Sequence, residues 1–265
     1  MLHHKVLGSG RPVVILHCVT LDHRHMVEIL EPAFEGLEGW KRIYVDLPGH
    51  GNSPPQDSIR SQDDMLSSVE AFVTEILGDA PFALVGSSRG SYLARGIIYS
   101  KPDRVMGAAL IVPGGNPSST NPRPEHKVVE PDPTIRSELP EDEIWAFDNF
   151  LDVQRRDIVE KRRNILKPAM KLHDPTQEAR VKKAFEFSFS ECEARMVFNG
   201  PSLIVAGRQD SMSGYLDSID LAHRFSRATL AILDAAGHGL TFERSDLFTA
   251  LVTDWLMRLA VTWRD

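Results

Sequence analysis

At 265 residues, 42% hydrophobic and 25% charged, the chain has ordinary globular composition and ample material for one large core. Its net charge of -7 argues against a surface built for nucleic acid or anionic membrane. Two cysteines, Cys18 and Cys192, make neither a disulfide framework nor a metal motif. No apolar run approaches the roughly 18 residues of a membrane span, and the first residues lack an apolar leader, so the expected location is the cytoplasm.

In chain order, residues 3–17 read as two short strands around Gly8-Ser9-Gly10-Arg11-Pro12. The second of them, Val13-Val14-Ile15-Leu16, is continuously apolar, as in a strand covered on both faces. A helix over about 25–34, a strand over about 42–46 and a loop at Asp46-Leu47-Pro48-Gly49-His50-Gly51 follow. Met65, Leu66, Val69, Phe72, Val73, Ile76 and Leu77 mark an amphipathic helix over 62–77. Phe82-Ala83-Leu84-Val85 reads as a strand, Tyr92 to Tyr99 as a helix ending before Pro102, and 105–112 as another strand. This alternation predicts a parallel sheet with helices on both faces.

The rhythm then breaks. Prolines at 113, 117, 122, 124, 131, 133 and 140 mark irregular chain. Helical patterns over 141–166 and 175–187 follow, with Trp145, Phe147, Phe150, Phe185, Phe187 and Phe189 arguing against disorder. Residues 113–196 therefore read as a mainly helical insertion over the sheet, a cap, with 1–112 and 197–265 forming the core. Strand and helix resume at 202–206, 215–225, 229–233 and 246–260.

Chemistry concentrates at three places. Gly86-Ser87-Ser88-Arg89-Gly90 follows a strand and opens a helix, which is the context in which a Gly-x-Ser-x-Gly turn exposes its central serine. The flanking glycines remove side chains that would clash at so sharp a turn. A serine hydroxyl is a weak nucleophile and needs a base and a group to orient that base. Asp210, after strand 202–206, and His238, after strand 229–233, lie at the strand ends that open parallel sheets use for their sites. Asp210 as a helix cap and His238 as a loop histidine are the plainer readings of each position. His17, His23, His25 and His50 lack metal-ligand spacing and read as structural or pocket-lining residues.

Together these segments resemble the α/β-hydrolases. Gly86 to Gly90 looks like the nucleophile elbow, Gly207-Arg208-Gln209-Asp210 like the acid loop and Gly237-His238-Gly239 like the histidine loop. Asp46-Leu47-Pro48-Gly49-His50-Gly51 is similar to a segment common in that family, and the insertion lies where the family keeps its cap. The resemblance implies an α/β fold, with a mostly parallel sheet flanked by helices. It implies Ser88 as nucleophile, His238 as base and Asp210 as the acid that orients it. Arg89 and Val19 would supply oxyanion-hole N–H groups, with Cys18 where the family usually has glycine. The Arg89 guanidinium is expected along the helix surface; the alternative points it into the pocket toward a substrate carboxylate.

The chemistry so implied requires no metal and no cofactor. Its substrate is a small molecule, with no nucleic acid or membrane as partner, and a homodimer is compatible with the chain. Ester hydrolysis through an acyl-enzyme is the first expectation. Carbon–carbon bond hydrolysis of a vinylogous diketone is its near rival. A non-catalytic ligand-binding protein on the same scaffold is the rival from another class.

Overall fold

The computed structural model describes residues 1–114 and 119–263, so Pro117 lies outside the described residues. The first half runs β1 (His4–Leu7), β2 (Arg11–Leu16), α1 (His23–Phe34), β3 (Trp40–Val45), α2 (Gln62–Leu77), β4 (Phe82–Ser87), α3 (Arg89–Ser100) and β5 (Val105–Ile111). The end of the chain runs β6 (Ser202–Gly207) and β7 (Ala228–Leu233), with the helices between and after them given below. The strands form one seven-stranded sheet in the order β1-β3-β2-β4-β5-β6-β7. Only β1 is antiparallel to its neighbour; the other pairs are parallel.

Both faces of the sheet are covered, which explains the unbroken apolar strands. Val13, Ile15, Ala83, Val85, Leu203 and Val205 face one core. Their chain neighbours Val14, Leu16, Leu84 and Ile204 face the other, against Met65, Val69, Leu93 and Ile97.

Between β5 and β6 the described chain adds no strand to the sheet. It holds α4 (Pro133–Glu138), α5 (Glu141–Phe150), α6 (Arg156–Lys161), a π-helical turn over Arg162–Leu166, α7 (Lys167–Met170), α8 (Pro175–Lys183) and α9 (Ser190–Glu193). Two expected helices are shorter than the apolar pattern suggested. The 141–166 pattern is interrupted after Phe150. The backbone there turns aside to bond the Val129–Glu130 stretch: Val129 N–H donates to Asp152 O at 2.8 Å and Gln154 N–H to Glu130 O at 2.8 Å. The wide π turn comes just before Pro168, whose missing N–H breaks the helical ladder. The second pattern ends at Lys183, because Phe187 and Phe189 leave the helix to stack on Tyr92 and Tyr99.

After β6 come α10 (Leu216–Ala222), then β7, α11 (Leu240–Glu243) and α12 (Ser245–Thr262). The parallel order brings the carboxyl ends of β2, β4, β6 and β7 to one edge of the sheet. No described helix is long and apolar enough to cross a membrane.

Candidate active site

β4 ends at Ser87 and α3 begins at Arg89, so Ser88 alone makes the turn between them. Its backbone stands at φ 52°, ψ -111°, a left-handed conformation that costs a side-chain-bearing residue about 1–3 kcal/mol. The surroundings enforce it. Ser88 N–H donates to Ile111 O at 2.9 Å, and the Ser91 hydroxyl donates to Gly86 O at 2.7 Å. A Cβ at Gly86 would overlap the Gly90 carbonyl, and one at Gly90 would overlap the Leu16 carbonyl. The two glycines thus let α3 settle against β2 and β4, and the serine absorbs the strain.

His238 and Asp210 are joined. His238 Nδ1 lies 2.9 Å from Asp210 Oδ2, and Asp210 is fully buried. The other carboxylate oxygen accepts the N–H groups of Met212 and Ser213 at 2.9 and 2.8 Å. That carboxylate has no spare donor role, so Nδ1 carries the proton and Nε2 remains the basic nitrogen. Asp210 does not cap α10, which begins six residues later. Burial pulls the His238 pKa down, but the charge and hydrogen bond of Asp210, with Glu243 and Asp152 beyond, hold it above the ordinary imidazole value. Among the described residues Ser88 Oγ makes no hydrogen bond.

The loop after β2 carries the second candidate oxyanion donor. Among the described residues neither Val19 N–H nor Arg89 N–H donates to a protein acceptor. The left-handed residue of this loop is Thr20, at φ 66°, rather than Cys18. The cysteine that replaces the usual glycine therefore meets no backbone conflict. Burial pushes its thiol up to about 12, which leaves it unreactive. His17 braces the loop as a neutral ring: Nδ1–H donates to Cys18 O at 2.6 Å and Nε2 accepts Leu47 N–H at 2.9 Å. Burial holds its pKa near 3, so that tautomer persists.

Val19, His238, His25, Trp145, Phe150 and Phe242 contribute to the lining of a largely apolar cavity of about 480 Å³. Two polar groups in that lining were not singled out as substrate contacts by the sequence. Arg162 points its guanidinium over Phe150 at 5.5 Å and, among the described residues, has no ion-pair partner within 4.0 Å. His25 is buried with Nδ1 unpartnered, and burial lowers its pKa to about 4. It is neutral at physiological pH.

Arg89 corrects both expectations for its side chain. It is neither on the helix surface nor in the cavity. The guanidinium is buried, forms a two-pronged pair with Glu178 of α8 at 2.5 and 2.6 Å, and lies over Phe185 at 5.5 Å. Its charge is committed to the inserted segment.

Sequence reasoning also missed two buried carboxylates beside the histidine loop. Glu243 accepts Gly237 N–H at 2.7 Å and Asp152 N–H at 3.3 Å. Asp152 Oδ1 lies 3.3 Å from His126 Nδ1, at an angle too oblique for a hydrogen bond. Burial, with Asp210 nearby, raises Asp152 to about 6; burial, with Asp152 nearby, raises Glu243 to about 7. The only sequence signal was their type: Glu243 ends the short helix Leu240–Glu243, and Asp152 adjoins an apolar run.

The chain matches the sequence model of the Alpha/beta hydrolase family over residues 13–251. It is 26% identical over 231 residues to a 2-hydroxy-6-oxononadienedioate/2-hydroxy-6-oxononatrienedioate hydrolase of Burkholderia vietnamiensis, covering 83% of this chain and 77% of that one. A protein of the same name from Klebsiella pneumoniae is 26% identical over 274 residues, covering 97% and 91%. The crystal structure of an alpha/beta superfamily hydrolase from Oenococcus oeni superposes with a TM-score of 0.88 at 25% identity, covering 97% and 96%.

Proposed function

The chain belongs to the alpha/beta hydrolase family, and on that footing we propose that it is a serine hydrolase that cleaves a carbon–carbon bond of a small vinylogous diketone. The observation that carries the catalytic part is the His238–Asp210 pair at 2.9 Å on the same sheet edge as the strained Ser88. Ser88 attacks the ketone carbon while His238 Nε2 takes its proton. The Val19 and Arg89 N–H groups hold the oxyanion. The C–C bond then breaks, its electron pair delocalises into the conjugated carbonyl system as a dienolate, and the imidazolium protonates that fragment. Water, deprotonated by His238, releases the acyl group from Ser88.

The first expectation, an ester substrate, is set behind this reading. The curated relatives carry the name of a dienedioate hydrolase, a carbon–carbon rather than an ester substrate. The cavity is suited to such a molecule. Its walls are largely apolar, and Arg162, with no ion-pair partner among the described residues, offers one cation for a terminal carboxylate. Trp145, Phe150, Arg162 and Met170, all from the inserted segment, residues 113–196, contribute to the cavity lining, which supports a cap role for that insertion.

The test compares kcat/KM on a 2-hydroxy-6-oxo-dienedioate, followed by loss of its conjugated chromophore, with that on a panel of p-nitrophenyl esters. Diketone turnover exceeding ester turnover by about a hundredfold supports the proposal. The reverse ordering returns ester hydrolysis to first place. Activity on both surviving Ser88→Ala would refute the serine mechanism.

A further inference from the structure

Three side chains far apart in sequence meet away from the cavity: His3, His23 and Asp46. None of them lines the cavity beside His238. His3 Nδ1 lies 2.8 Å from Asp46 Oδ2, and His23 Nδ1 lies 2.8 Å from Asp46 Oδ1. The three ligand atoms all lie within 4.8 Å of one another. We propose that His3, His23 and Asp46 form a binding site for one divalent transition-metal ion of the zinc, cobalt or nickel class.

The geometry is prepared in advance. The His3 backbone is held on both sides: its N–H donates to Ser53 Oγ at 2.9 Å and its carbonyl accepts Asp46 N–H at 2.9 Å. His23 is the first residue of α1, and its own N–H donates to Asp46 Oδ1 at 2.8 Å. Asp46 is fully buried, and Asn52 N–H donates to its Oδ2 at 3.0 Å. Gly51 presses on it from behind; a Cβ there would stand 2.5 Å from the Asp46 carboxyl carbon. All three ligands are thus positioned by main-chain contacts, so little freedom remains to be lost on binding.

Two imidazoles and one carboxylate suit a borderline transition ion. They do not suit calcium or magnesium, which call for oxygen ligands. Without an ion, both imidazoles present Nδ1–H to the carboxylate. With one, the ion takes the place of those two protons, and each ring carries its proton on Nε2 instead. His3 Nε2 lies 3.5 Å from the Asn52 side-chain amide, which offers an acceptor in its other orientation. The His23 and Asn52 N–H groups stay on the carboxylate as its outer support. The His3 side chain is 38% exposed, so water reaches the remaining coordination positions. Bound in this way, an ion would tie the start of β1, the start of α1 and the end of β3 together.

The site was hidden from spacing rules because its ligands sit 20 and 23 residues apart on three elements, and the sheet order alone brings them together. The test uses the full chain, stripped with chelator and dialysed. Zinc chloride is titrated by calorimetry, and cobalt chloride is followed by its visible absorption. One ion per chain, a raised Tm and cobalt bands of a nitrogen- and oxygen-ligated ion are expected. His3→Gln with His23→Gln keeps amide donors for Asp46 and should preserve the fold while weakening binding at least about tenfold. His173→Ala, which alters a histidine away from the three ligands, should bind as the parent does. No stoichiometric binding by the parent, or equal binding by the double variant with native circular dichroism, would overturn the proposal.

Discussion

Asp152 fills the space that a side chain at Gly237 would need: a Cβ at that position would overlap Asp152 Oδ2. Asp152 belongs to the segment between β5 and β6, and Gly237 immediately precedes His238. The inserted segment is therefore in direct contact with the loop that carries the candidate base. Gly237→Ala should force the two apart. Overpacking of this kind costs about 1–3 kcal/mol, which for a chain of this size lowers Tm by a few degrees. Activity should fall by about tenfold or more, because sub-ångström misplacement of a base is felt in the rate. Calorimetry and kcat on purified variants check both. An unchanged kcat would mean that the loop tolerates the shift.

Glu243 supplies a pH-dependent term. Its pKa in the folded protein is about 7, above the ordinary 4.5, so the folded state keeps a proton that the unfolded state has released. The contribution to stability is full below pH 4.5 and is lost as pH rises toward 7. Asp152 acts in the same sense over a lower window, from its ordinary 3.8 to about 6. Glu243→Gln should therefore flatten the decline of Tm between pH 5 and 8. The Glu243 carboxylate also helps to hold the His238 pKa up against burial, with Asp210 the stronger support. The acid limb of kcat/KM should move to lower pH in the variant. A limb that moves upward would contradict the electrostatic assignment. Arg155, whose guanidinium donates to the Glu243 carbonyl at 3.1 Å, is unchanged in this variant.

Ser88 carries backbone strain, and Gly relieves it. Ser88→Gly should raise Tm by a few degrees, since a left-handed φ of 52° costs a serine on the order of 1 kcal/mol and costs glycine almost nothing. The same variant should lose all turnover and all labelling by a fluorophosphonate probe, read by intact mass. One adduct on the parent and none on Ser88→Gly is the expected pattern. A parent that takes no adduct would indicate an unactivated serine and favour a ligand-binding role.

The sheet, its order of elements and the three candidate catalytic positions were legible in the sequence because each is a local pattern. Continuous apolar runs mark strands covered on both faces. Gly86 and Gly90 mark a turn that only small residues allow. Asp210 and His238 each follow a recognisable strand. What was not legible depends on contacts across the chain. The Arg89 side chain was misplaced because its partner, Glu178, lies 89 residues away in a helix whose docking no local pattern reveals. Asp152 carries no local mark of its place against Gly237 in the histidine loop. Thr20, rather than Cys18, takes the left-handed conformation in the loop after β2, and nothing in Cys18-Val19-Thr20 distinguishes the two.

Arg89 and Arg162 make opposite predictions, although both are arginines near the candidate site. Arg89 is buried and paired with Glu178, so removing the partner leaves a buried charge without compensation. Glu178→Gln should destabilise the chain by about 3–5 kcal/mol, and replacing both residues, Arg89→Met with Glu178→Leu, should recover much of that loss. Neither change should depend on whether a substrate bears a carboxylate. Arg162 stands in the cavity lining without an ion-pair partner among the described residues. Burial lowers its pKa, with Glu143 opposing from outside the lining, and among the described residues no carboxylate lines the cavity. Arg162→Gln should leave Tm within about 1 °C, as for a partly exposed side chain. It should raise KM for a dienedioate by about tenfold or more, while KM for an uncharged ester changes little. Equal effects on the two substrates would show that Arg162 shapes the cavity without reading a carboxylate.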